Sequence, residues 1–217
     1  MQPPLSRNYR ELVLFGPFTP LPLDRLASVE AAIGVAVPRP YRQLLEVANG
    51  GTVEYDVRLP SGDVVSFPDL IPADRLGAEY RSLQESFLAV HLPVATLLPV
   101  ARDGCGSLLM LDVGAERYGR VVAFVHGLPA WTGSSRDDMF VELAPDLDAY
   151  LDSLFIDDET AESEWSGVLG TALYNPWRDV VVQWLDRGLP GWRDRPWARS
   201  SGPAPKQPAR DDLALDL

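Results

Sequence analysis

Apolar positions along the chain alternate between a helical and a strand period, and the changes of period mark its elements. Residues 1–23 carry five prolines and little periodicity, and read as an extended lead-in. Leu26, Val29 and Ile33 then fall on one helical face, with Asp24 as a suitable N-cap and Gly34 as the stop. A second helix opens at Pro38 or Pro40, turns Tyr41, Leu44, Leu45 and Ala48 inward, and ends at Asn49-Gly50-Gly51. Both residue types of that stop tolerate left-handed backbone. Strand alternation follows over 53–59 and 64–67, around the turn Pro60-Ser61-Gly62-Asp63. Leu76, Tyr80, Leu83 and Phe87 predict a helix over 73–90, and strands are predicted over 97–101, 107–113 and 120–125. The unbroken apolar run Leu108-Leu109-Met110-Leu111 suits a central strand covered on both faces. A further helix over 145–155 presents Leu147, Tyr150, Leu151, Leu154 and Phe155 to the core.

The pattern shifts near residue 165. Asn175-Pro176 starts a helix with Val180, Val181, Trp184 and Leu185 on one face and Gly188 after it. Four of the six tryptophans (Trp177, Trp184, Trp192 and Trp197) crowd this last quarter. Its arginines alternate with Asp179, Asp186 and Asp194, so it forms no basic stripe for stacking on nucleic acid. The tryptophans read instead as packing onto the preceding domain or onto a partner. Residues 199–217 hold too little apolar area to order themselves and read as a flexible tail.

Composition narrows the classes. With 46% hydrophobic and 23% charged residues, the 217-residue chain is built to fold around a core. Nineteen basic against thirty-one acidic residues give a net charge of −12, which argues against a broad nucleic-acid surface and against docking on anionic lipid. Cys105 stands alone, so there is no internal disulfide framework. His91 and His126 are too few for a structural zinc site, and no cofactor or metal is expected. No secretory leader and no apolar run of spanning length is present, and the expected location is cytoplasmic. Arginine outnumbers lysine eighteen to one, a bias that fits a GC-rich genome and carries little functional weight.

The acids are unevenly placed. Residues 137–164 contain eleven acids and no lysine or arginine, nearly the whole net charge. Asp137, Asp138, Glu142, Asp148, Asp152, Asp157, Asp158 and Glu159 are the candidate partner-binding residues of this stretch, with Trp177 and Trp184 beside them. Asp157-Asp158-Glu159 would follow a helix C-terminus, where negative charge is unfavourable. The stretch reads either as a face that steers a basic partner or as a solvated surface. It lacks the ligand spacing of a calcium loop, and the sequence shows no pocket that would make two of its carboxylates an acid–base pair. Asp103-Gly104-Cys105-Gly106 precedes a strand and lacks a Lys-Ser/Thr ending, so it reads as a hairpin turn and not as a phosphate loop. An enzymatic reading would rest on Cys105 and His126 alone.

Two stretches together resemble a known family. The first runs from Ser28 to Gly51 and carries Gly34, Val35, Val37, Pro38, Tyr41 and the Asn49-Gly50-Gly51 stop. The second, over 98–131, carries the turn at Gly104 and Gly106, a Leu-Leu-x-Leu-Asp pattern ending at Asp112, and Gly119-Arg120-Val121-Val122. Both are similar to the SUKH superfamily, the Smi/Knr group of cell-wall regulators and bacterial toxin-immunity proteins, and residues 147–154 look like its closing helix. The frequent Gly-Asp-Gly turn of that family reads Gly-Cys-Gly here, and residues after Phe155 lie outside the pattern. The resemblance implies an α+β fold, a mostly antiparallel sheet with packed helices, over a domain at 24–165. A Trp-rich helical extension over 166–198 follows it. It also implies no catalytic residues and a protein partner, with bacterial members often blocking a nuclease or deaminase toxin. The alternative is an intracellular regulatory scaffold that uses the Trp-rich helix.

Overall fold

The computed structural model describes residues 6–127, 138–169 and 175–199. Where an extended lead-in is expected, the chain folds back as an antiparallel hairpin of β1 (Ser6–Tyr9) and β2 (Leu12–Phe15). Its turn, Arg10-Glu11, has both residues at positive φ (49° and 68°), the backbone of a type I′ hairpin without the usual Asn or Gly. Leu12, Val13 and Leu14 are all buried, so this hairpin belongs to the core.

Helix α1 (Leu23–Ile33) starts one residue before Asp24, which lies in its first turn and does not cap it; Gly34 closes the helix at φ 76°. Helix α2 (Arg39–Val47) buries Tyr41, Leu44 and Leu45. The Asn-Gly-Gly stretch after it is a crossing point as well as a stop. Asn49 Oδ1 accepts from the Ala73 N–H at 2.7 Å, and its Nδ2 donates to Thr19 Oγ1 at 2.9 Å and the Pro20 carbonyl at 3.0 Å. A Cβ on Gly51 would lie 2.3 Å from the Phe15 carbonyl oxygen, so only glycine lets the two strands of chain pass.

A short hairpin, β3 (Asp56–Arg58) and β4 (Val64–Ser66), leads to β5 (Asp69–Leu70). The helix expected over 73–90 is two: α3 (Ala73–Glu85) breaks at the extended Ser86, and α4 (Leu88–His91) follows. Phe87 sits at the break and is 64% exposed, so it does not continue the buried row of Leu76 and Leu83. Then come β6 (Leu97–Arg102), β7 (Leu108–Asp112), β8 (Val121–Val125) and β9 (Met139–Ala144), the last unpredicted. With β5 they form a five-stranded antiparallel sheet in the order β5-β6-β7-β8-β9.

The fold is α+β, as the family resemblance implies. Strand β7 lies at the centre of the sheet and is covered on both faces. Leu109 and Leu111 enter the main core, while Met110 joins Leu83, Leu97, Val122 and Phe124 in a smaller core on the other side. Helix α5 (Leu147–Ser153) is capped by Asp146, which accepts from the Ala149 N–H at 2.8 Å. Three further helices follow, α6 (Asp158–Leu169), α7 (Pro176–Gly188) and the single turn α8 (Pro196–Arg199). Helix α6 crosses the boundary expected at 165. Helix α7 starts at Asn175, whose side chain accepts from the Trp177 N–H, and buries Val181, Trp184 and Leu185 in the main core. Gly188 passes so close to Ile156 that a Cβ there would meet its side chain at 2.2 Å.

Candidate functional site

Folding sorts the acidic stretch into neutralised and open parts. Asp137 lies outside the described residues, as do most of the tail and Trp131. The Asp138 carboxylate accepts from the Gly127 N–H and sits 3.1 Å from His126 Nδ1. Glu142 on β9 pairs with Arg120 at 2.8 Å. Asp148 and Asp152, one turn apart on α5, are both held by Arg10 from the hairpin turn, at 3.0 and 3.3 Å. Asp158 pairs with Arg195 at 3.1 Å. The arginines that balance this stretch thus come from distant parts of the chain.

The cluster after α5 has the opposite electrostatic sense to that expected. Asp157, Asp158 and Glu159 do not trail a helix C-terminus; they begin α6, where the free N–H groups favour negative charge. Asp157 accepts from the Thr160 N–H at 2.9 Å and from its hydroxyl at 2.7 Å, and these bonds hold its carboxyl below the ordinary range. On α6, Glu159, Glu162 and Glu164 are exposed and have no ion pair among the described residues. The open negative charge therefore centres on α6 and not on α5 or β9.

Beside α6 lies a cavity of about 500 Å³. One side comes from the end of β2 and the chain entering β3, with Phe15, Glu54, Tyr55 and Asp56. The other comes from Thr160 and Glu164 of α6 and from Trp177 and Trp184 of α7. None of the described residues that line it is basic. Trp184 is buried, donates its indole N–H to the Glu54 carbonyl at 2.7 Å, and tilts against Tyr55. Trp177 is half-buried and meets Phe15 edge-on, with ring centroids 5.7 Å apart.

Asp56 enters this cavity from a fixed backbone. Its N–H donates to the Phe155 carbonyl at 2.8 Å, and its own carbonyl accepts from the Phe155 N–H at 3.0 Å. That bridge sets its side chain against Asp157. Burial, then the Asp157 charge, push the Asp56 carboxyl up to about 6. Sequence reasoning missed Asp56 because it sits as an ordinary polar position in a strand pattern, about a hundred residues from its acidic neighbour. Glu164 was noticed only as one acid among eleven.

Trp165 and Trp192 are buried, and Trp197 is half-buried. Trp192 meets Trp165 edge-on at 4.7 Å and stacks on Trp197 at 6.1 Å, with Arg193 over its face. Cys105 is exposed in the turn after β6 and has no hydrogen bond to His126 among the described residues, whose ring packs against Gly106 instead. Among the described residues no group of three or more His, Cys, Asp or Glu could hold a metal ion. No described helix is long and apolar enough to cross a membrane.

A sequence profile of the SMI1 / KNR4 family (SUKH-1) matches residues 20–153. The chain belongs to the SUKH-1 family. Among curated proteins, none is significantly similar to it. The SUKH group includes toxin-immunity proteins and cell-wall regulators and is generally non-catalytic. The match ends at the last residue of α5. Of the residues lining the cavity, Glu54, Tyr55, Asp56 and Ser66 lie inside the family region, whereas Phe15, Ile156 and the residues of α6 and α7 lie outside it.

Proposed function

We propose that this SUKH-1 protein is a non-enzymatic immunity protein that binds and neutralises a basic, cytoplasm-acting toxin. A nuclease or a nucleic-acid deaminase has the required chemistry, since either must carry positive charge to hold phosphate. The observation that supports this most strongly is the α6 surface. Arginines pair with Glu142, Asp148, Asp152 and Asp158 of the 137–164 stretch, but Glu159 and Glu162 remain exposed and unpaired among the described residues. Such a surface steers a cationic partner and competes with its nucleic acid.

The test is capture with the tagged full chain from its native lysate at low and high salt, followed by co-expression of the retained protein. The expected result is one basic protein, held at low salt and shed at high salt, whose toxicity the chain relieves. A variant carrying Asp158→Asn, Glu159→Gln and Glu162→Gln should lose both effects while keeping the Asp157 cap. A retained partner that is acidic, or that the variant holds as well as the parent does, refutes the reading.

A further inference from the structure

From the lining of the cavity between β3 and α6–α7, we propose that it is a receptor for one arginine side chain of the protein partner. The inference deepens the function proposed above, since it takes the partner to be a protein. Three features of the cavity select a guanidinium. Its walls are aromatic, with Trp177, Tyr55 and Phe15, and a cation gains from the face of an indole or phenol ring when water is excluded. Its lining includes Glu54, Asp56 and Glu164, with no lysine, arginine or histidine among the described lining residues to compete for them. At about 500 Å³ it holds a long side chain together with part of the backbone that presents it.

Arginine suits this lining better than lysine. The planar guanidinium stacks on an aromatic ring while its edge donates two parallel hydrogen bonds to a carboxylate. The chain's own arginines already use ring faces nearby. Arg58 lies over Phe155 at 5.4 Å and Arg178 over Trp165 at 5.3 Å, yet neither lines the cavity. The Asp56–Asp157 contact supports the assignment. Two carboxyls are held together with burial favouring the neutral form of one, and a cation entering beside them relieves that crowding. The wall on α6 and α7 lies beyond the family match, so the receptor is argued from this chain's own residues.

The experiment titrates the full chain with the blocked tripeptide acetyl-Gly-Arg-Gly-amide and, in parallel, with its citrulline analogue, which keeps the shape but loses the charge. The indole N–H signals of Trp177 and Trp184 are followed by NMR, assigned with Trp177→Phe. The arginine peptide should give saturable shifts at these two indoles, and the citrulline peptide none. Glu164→Gln, an exposed substitution that spares the core, should weaken the arginine peptide about tenfold, and Trp177→Leu should do the same. Equal binding of the citrulline peptide, no saturable shift up to the solubility limit, or unchanged affinity in Glu164→Gln would each overturn the assignment. The two proposals fail separately. Tripeptide binding reports on the cavity alone, and partner capture by the Asp158/Glu159/Glu162 variant reports on the α6 surface alone.

Discussion

Gly51 is a residue at which the fold tolerates little change. It lies at φ 84° and has the Phe15 carbonyl where a Cβ would be, so Gly51→Ala adds both backbone strain and a clash with main chain that has no room to yield. We expect a loss of about 2–4 kcal/mol in urea unfolding, with partial displacement of β2. The Asn-Gly-Gly stop was legible in the sequence, but its crossing role was not. The chain that presses on Gly51 lies thirty-odd residues upstream, in a segment without periodicity. Asp56 belongs to the same scale. Its folded value of about 6 exceeds the ordinary unfolded value of about 4, so the folded state keeps a proton that the unfolded chain releases. That contribution is full at acid pH and is lost as pH rises through 6. Asp56→Asn should therefore gain stability relative to the parent between pH 4 and pH 7, by about 1 kcal/mol after allowance for solvent at this half-exposed site. A difference between the two proteins that does not change with pH would contradict the raised Asp56 carboxyl beside Asp157.

The elements that escaped the sequence reading did so for physical reasons. The β1–β2 hairpin lacks the Asn-Gly signature, because Arg10 and Glu11 adopt left-handed backbone without it. Glu11→Gly should remove that strain and raise stability by about 0.5–1 kcal/mol, read as a higher unfolding midpoint. Strand β9 is an edge strand with only Ala144 buried, so its alternation is weak. Helix α6 is mostly polar and buries only Ala161, Trp165 and Val168, at spacings of four and three, and that row was the signal available for it. Missing α6 also reversed the electrostatics of Asp157–Glu159. Helix α7 was legible because its apolar row is long and its Asn-Pro start is strong. Its burial makes removal of the last quarter a test of folding and not of partner binding. A chain ending at residue 174 exposes the sites that receive Val181, Trp184, Leu185 and Trp192. At about 1.5–3 kcal/mol for each side chain, that loss rivals the whole stability of a typical domain, and such a chain should show no cooperative unfolding.

At the scale of the whole molecule, the sequence carried the family, the sheet with its doubly covered central strand, and the acidic excess. It did not carry the distribution of that excess. Arg10, Arg120 and Arg195 are scattered along the chain, and only folding shows which acids they neutralise. The charge left open lies on α6, beside a cavity whose two walls meet from residues about a hundred and more positions apart. No periodicity or spacing rule reaches across that distance. Binding of a cationic protein by this surface is tested most directly by the salt dependence of the affinity between the purified chain and its captured partner. The parent should lose affinity steeply as salt rises, and the Asp158→Asn, Glu159→Gln, Glu162→Gln variant should start weaker and show a shallower slope. Equal slopes and equal affinities for the two proteins would contradict the account.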